Sequence, residues 1–287
     1  MTPSSLTKSR MMRAAITGAN MPSTVATSAW ATRSVGVVVC FRRIDRTAEE
    51  ATATVERTNR IGERNWFPIE KEEAVERALG LSVPRTLEEV CDPRRMALLV
   101  YDMQVGIVSQ LPNGPEVTAR VAEVLRAARE GGFSVFFSRH MSLPKQLMGV
   151  FQLKQAMAWQ RVDRVEDVEP WFPRDSPQFQ IVPELEPLAS EAVSDKIAMS
   201  AFEGTFLNMA LRDLGMDAFA ICGIAMEVGI EPTVRHGADL GYVPVVVADA
   251  CGAGDEAAAT RSLESLAFAG DSFITDVATI GALLRKV

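Results

Sequence analysis

Met96-Ala-Leu-Leu-Val-Tyr101, followed by Asp102-Met-Gln-Val105, is the stretch on which the fold turns. Six uncharged residues that end on an ionisable carboxyl are the pattern of a parallel strand, buried on both faces, delivering a side chain into a cleft. Asp102 is the first candidate for chemistry. A lone carboxylate after a strand is also an ordinary helix cap, so its meaning depends on whether other strand ends converge on it.

Working outward, the rhythm after Met96 is regular. Strands are predicted over 96–101, 133–138, 192–195, 217–222, 243–248 and 272–275, separated mostly by helical stretches. Within 115–130 the apolar positions Val117, Val121, Val124, Leu125 and Ala128 lie on one helical stripe, and Gly131-Gly132 ends it. Strand and helix alternating in this way predict an α/β fold: a doubly wound, Rossmann-like sheet of six parallel strands with helices on both faces. Residues 141–180 break the rhythm with Trp159, Trp171, Phe172 and Phe179, which points to a lid or an oligomer contact, with filling of a satellite core as the plainer alternative.

Two further strand ends carry chemical groups. Glu191-Ala-Val-Ser-Asp195 runs into Lys196, which opens Lys-Ile-Ala-Met-Ser-Ala-Phe-Glu-Gly-Thr205. Ala218-Phe-Ala-Ile-Cys222 runs into Gly223-Ile-Ala-Met-Glu-Val-Gly229 and then a helix. In a doubly wound sheet these ends share one crevice with Asp102. A carboxylate beside an ammonium is first an ion pair; in a cleft it also orients the carboxyl for proton transfer, and a helix start supplies backbone N–H groups for developing negative charge.

Taken as a set, Asp-x-Gln after the first strand, Lys followed by Ser-Ala-Phe, and Gly-Ile-Ala before a helix resemble the isochorismatase-like hydrolase superfamily over residues 91–287. The resemblance implies a hydrolase in which Asp102 donates or accepts the proton and Lys196 is its charge partner. It also implies that the backbone N–H groups of Ala225 and Gly229 bind an oxyanion, and that the peptide between Ile224 and Ala225 is cis. In amidase members the position of Gly229 holds a nucleophilic cysteine; glycine closes that covalent route. Members without the cysteine cleave a vinyl ether with the aspartate as general acid, and this isochorismate-type reaction is the leading expectation. Amide or carbamoyl hydrolysis by activated water is the second, and a noncatalytic binding or scaffold role the third. A general acid needs burial to raise its pKa, whereas a nearby Lys196 lowers it. Gln104, Arg139, His140, Phe202 and Phe206 are the expected substrate contacts. A homodimer or homotetramer is implied by the same resemblance.

Composition bounds the rest. A net charge of −7 argues against a general nucleic-acid binder, and no apolar run is long enough for a membrane span. The partner that the resemblance implies is a small-molecule substrate. Cys40, Cys91, Cys222 and Cys251 are scattered without Cys-x-x-Cys spacing, so a reduced, cytoplasmic protein is expected, and two histidines exclude a His-rich metal site. Cys251 lies at the mouth of a strand and is weighed as a replacement nucleophile. Gly252-Ala-Gly-Asp-Glu-Ala257 matches a dinucleotide fingerprint in form, but Asp255 and Glu256 stand where a pyrophosphate would bind, so no cofactor is expected.

The amino-terminal part reads differently. Residues 1–46 are rich in Ser, Thr and Ala, and up to residue 44 hold Lys8, Arg10, Arg13, Arg33, Arg42 and Arg43 with no acidic residue, a transit-peptide composition that a disordered tail or a start placed too far upstream would also give; these two are the leading expectation and a targeting segment the alternative. Residues 47–90 read as an acidic helical extension, with a helix over 70–79 stopped by Gly80 and a capping box at Thr86-Leu-Glu-Glu89.

Overall fold

The computed structural model describes residues 76–286; the tail 1–46 and the extension up to residue 75 lie outside the described residues. The chain opens with a hairpin, β1 (Glu76–Ala78) against β2 (Leu81–Val83). The helix expected to run to Leu79 gives way here, because Leu79 and Gly80 both take positive φ, 54° and 78°. Two such residues in succession turn a hairpin, where a helix end needs only one. The next expected start does hold: α1 (Leu87–Val90) follows Thr86, and the Glu89 carboxylate accepts the N–H groups of Arg85 at 2.6 Å and Thr86 at 3.4 Å.

The main sheet contains β3 (Met96–Tyr101), β4 (Ser134–His140), β5 (Ala192–Lys196), β6 (Ala218–Ile224), β7 (Val243–Gly252) and β8 (Phe273–Thr275). All pairings are parallel, in the order β5-β4-β3-β6-β7-β8. This is the doubly wound α/β sheet expected. Every residue of β3 and β6 is buried, as central strands covered on both faces must be.

Alternation along β3 divides the core in two. Met96, Leu98 and Val100 face a layer with Val117, Val121, Val124, Leu125 and Ala128 of α3 (Gly114–Glu130) and Ile280 and Leu284 of α8 (Val277–Leu284). Here α2 is the short helix Val105–Val108 that precedes α3. Ala97, Leu99 and Tyr101 face the opposite layer, which contains Leu207 and Leu211 of α5 (Leu207–Asp213), Val234 of α6 (Glu231–Asp239) and Leu266 of α7 (Glu256–Ala269). Burying each large aliphatic side chain contributes about 1.5–3 kcal/mol, so the six residues of β3 anchor both layers.

From β3 the chain winds outward through β4 to β5, then returns to β6 on the other flank of β3. The switch point therefore lies between the ends of β3 and β6, where the crevice of an open α/β sheet forms. Close approach of these strands depends on Gly223: its φ is +134°, and a Cβ there would stand 2.0 Å from the Tyr101 carbonyl oxygen.

Residues 141–180 are more ordered than their composition suggests. They contain α4 (Val150–Gln160) and short 3₁₀ turns at Lys145–Leu147, Val165–Asp167 and Pro177–Phe179. Phe172 and Phe179 are buried, whereas Trp159 is partly exposed and stacks on Trp171 with centroids 5.7 Å apart. Among the described residues no helix is long and apolar enough to cross a membrane.

Candidate active site

Three neighbouring strands build one polar cluster. Asp102 leaves β3 with φ 48°, a left-handed turn that Asp tolerates better than most residues. Its Oδ2 accepts a hydrogen bond from Lys196 Nζ at 2.6 Å, and its Oδ1 accepts one from Ser138 Oγ at 2.6 Å. Lys196 ends β5, Asp102 follows β3, and Ser138 sits on β4 between them. The pair is almost sealed: relative exposure is 4% for Asp102 and 2% for Lys196. Burial pulls the Lys196 pKa below its ordinary value, with the Asp102 charge working in the opposite direction. Lys196 Nζ also lies 4.4 Å from the centroid of the Tyr101 ring and 3.3 Å from the Ala198 carbonyl.

His140, level with Lys196 on the adjacent strand, is half-buried in the same region. Burial, and then the Lys196 charge, lower its pKa to about 4, so the imidazole is neutral at pH 7. It forms one wall of a cleft completed by Ser142, Met148, Gln152, Gln155, Ala156, Trp159, Gln160 and Trp171.

The other expected substrate contacts are placed differently. Gln104 is fully buried and its amide bonds to backbone: Nε2 donates to the carbonyls of His140 (3.0 Å) and Phe179 (3.1 Å), and Oε1 accepts the His140 N–H (2.6 Å). It clamps β4 to the 141–180 segment. Arg139 points to the opposite face of β4 from Ser138 and His140, as strand alternation requires, and pairs with Asp195 at 2.8 Å above the Phe179 ring. Phe202 is core, stacked on Tyr242 and edge-on to Phe219. Phe206 precedes α5 and is 40% exposed.

The turn after β6 contains the remaining expected residues. The Ile224–Ala225 peptide is cis, as the resemblance implies. Residues Met226–Ile230 then form a π-helical turn in which the Gly229 N–H donates to the Ala225 carbonyl at 3.0 Å. The backbone donor expected at Gly229 is thus bonded within its own turn. No side chain could be added at Gly229 without collision, because a Cβ would stand 1.9 Å from Tyr101 Oη.

Neither Cys222 nor Cys251 is poised as a nucleophile. Cys222 lies within β6, where burial pushes its thiol up to about 12. The Cys251 thiol is also pushed well up by burial, and its Sγ donates to the Val247 carbonyl at 3.2 Å. The glycine-rich stretch 252–257 likewise has its polar groups engaged: Asp255 caps α7 by accepting the Ala258 N–H, and the Glu227 carboxylate accepts the N–H groups of Gly254 and Asp255. Carboxylates already occupy the positions a phosphate would need. Among the described residues no group of three His, Cys, Asp or Glu side chains could hold a metal ion.

Ser138 and Tyr101 are the members of the site that the sequence did not single out. The available signal was weak: Ser138 is a small hydroxyl residue in a run of apolar strand residues, and Tyr101 is the one hydroxyl-bearing residue in the first strand.

Comparison with known proteins agrees with this architecture. The ureidoacrylate amidohydrolase RutB of Serratia proteamaculans is 28% identical over 200 residues, covering 64% of this chain and 80% of that protein. An uncharacterised isochorismatase family protein, YecD of Escherichia coli O157:H7, is 31% identical over 170 residues, covering 55% of this chain and 79% of its own. The structure of an isochorismatase family protein from Burkholderia thailandensis superposes with a TM-score of 0.55 at 29% identity, covering 68% of this chain and 97% of that one. Residues 96–279 match the isochorismatase domain, and the chain belongs to that family of hydrolases.

Proposed function

We propose that the protein hydrolyses a C–N bond in a small amide, carbamoyl or ureide substrate, using water activated by Asp102 and no covalent intermediate. The observation that carries this reading is the hydrogen bonding of Asp102. Both carboxylate oxygens accept, one from the Lys196 ammonium and one from the Ser138 hydroxyl. That is the arrangement of a proton acceptor, whereas vinyl-ether cleavage needs a carboxyl that arrives protonated. The relation to ureidoacrylate amidohydrolases supports the same bond class.

In this mechanism Asp102 takes a proton from water as the oxygen attacks the substrate carbonyl carbon. The negative charge that develops on the carbonyl oxygen is met by the backbone at Ala225. Asp102 then passes the proton to the leaving nitrogen and the C–N bond breaks, giving an acid and an amine and restoring the carboxylate. Lys196 and Ser138, each donating to one oxygen of Asp102, fix the orientation of its carboxyl. Neutral His140, level with Lys196 on the adjacent strand, also lines the cleft with Gln152 and Trp159, and we take that cleft as the side from which substrate arrives.

The test is parallel incubation with a panel of small ureido, carbamoyl and amide compounds, followed by ammonia release, and with isochorismate, followed by pyruvate release. Ammonia release that falls by about 10²–10⁴ in Asp102→Asn is expected for loss of a general base. Pyruvate release that depends on Asp102, with no ammonia from any compound, would return the assignment to vinyl-ether cleavage.

A further inference from the structure

Gly229 stands on the turn that follows β6, at the switch point. Its Cβ direction runs into Tyr101: an added carbon would lie 1.9 Å from Oη, 2.4 Å from Cζ and 2.6 Å from Cε1. Ordinary carbon contacts are about 3.5–4.0 Å, so the overlap involves the ring as well as the hydroxyl. The ring is also held in place. It is 2% exposed, its hydroxyl donates to the Met199 carbonyl, and the Lys196 ammonium lies over its face at 4.4 Å. Tyr101 directly precedes Asp102, so the volume in question adjoins the Asp102–Lys196 pair.

A side chain at position 229 would reach that same volume, and a nucleophile there would have a carboxylate and an ammonium beside it. The space is filled instead by a phenol. We propose that Tyr101 sets the reaction class of this site: its ring occupies the place of a nucleophile at position 229 and restricts the Asp102–Lys196 pair to activating water. Burial and the Asp102 charge raise the phenol pKa well above its ordinary 10, so the hydroxyl keeps its proton and is no nucleophile itself. Tyr101 and Gly229 are thus one complementary unit, in which neither can be changed to suit covalent chemistry without the other.

The inference rests on Asp102–Lys196 being the reacting pair, but its test needs no substrate, so a wrong assignment of the bond class leaves the outcome unaffected. Gly229→Cys is introduced alone, with Tyr101→Phe, and with Tyr101→Val. Each protein is exposed to iodoacetamide at pH 7, and alkylation at position 229 is followed by peptide mass spectrometry. With Tyr101 or phenylalanine in place, the introduced thiol stays unlabelled in folded protein or the protein melts early. With Tyr101→Val the thiol labels about tenfold faster than the native buried cysteines, and Asp102→Asn slows it, as expected of a thiolate supported by neighbouring charge. Melting of Gly229→Ala, Tyr101→Val and the double variant gives a second, fold-based measurement. The alanine defect should be largely relieved by valine at 101, a non-additivity expected of residues in contact. Equal labelling with and without the tyrosine, labelling that is indifferent to Asp102, or strictly additive melting shifts would each overturn the proposal.

Discussion

At the scale of single residues, the site is an ion pair whose partners are buried together. Taking either charge out of water is unfavourable on its own, and the pair persists because Asp102 has a partner on each oxygen. Lys196→Met therefore leaves a buried carboxylate with one remaining donor, and we expect a loss of roughly 3–5 kcal/mol, read as a lower urea midpoint. Adding Asp102→Asn to that variant should recover much of the loss, since no charge then stays buried. A double variant as unstable as the sum of the singles would show that the two residues do not interact. Asp102 was legible in the sequence because a charge at the end of an apolar strand stands out against its neighbours, and Lys196, which follows the mixed stretch Ala-Val-Ser-Asp, was legible through the Lys…Ser-Ala-Phe pattern. Ser138 and Tyr101 were not, because a serine or a tyrosine in a strand is unremarkable until the neighbouring strands are in place. Arg139 misled for a related reason: its suitability for binding a carboxylate is visible in sequence, but the face of β4 it occupies follows from the register.

At the scale of elements, the strongest constraint is the contact between β3 and β6. Gly223 tolerates a φ of +134° and has no Cβ to strike the Tyr101 carbonyl. Gly223→Ala is expected to destabilise the protein by at least about 3 kcal/mol, combining backbone strain with displacement of a central strand. A melting temperature within a degree of the parent would mean that the strands can separate without cost. The helix α3 was legible in full, since Val117, Val121, Val124 and Leu125 recur at helical spacing and all are buried. The helix α4 was not, because its apolar residues do not gather on one stripe: Val150 and Phe151 are exposed, while Gln152 is buried. The hairpin β1–β2 was read as the end of a helix because the left-handed conformation of Leu79 is not encoded in its side chain.

At the scale of the whole molecule, burial of the site couples its chemistry to global stability. His140 is held neutral in the fold, with a pKa near 4 against an ordinary 6.5, chiefly by burial and then by Lys196. Between those pH values the unfolded chain binds a proton that the folded one does not, so stability is full above about pH 6.5 and declines as the pH falls toward 4. The whole decline attributable to this residue is roughly 3 kcal/mol. In urea titrations across that range, His140→Asn should flatten the acid limb relative to the parent; parallel limbs would rule out His140 as its source.

The amino-acid sequence by itself determined the class of fold, the six strands and Asp102 as the first candidate, because strand and helix periodicity are local and a charge following a buried run is conspicuous. It also determined that position 229 carries no nucleophile. Only the tertiary structure decided that Ser138 completes the hydrogen bonding of Asp102, that Arg139 faces away, that the Gly229 N–H is bonded within its own turn, and that Tyr101 fills the space beside it. The physical reason is that these are relations between strands distant in the chain. Their register, and the direction each side chain takes from it, exist only once β4, β3 and β6 lie side by side.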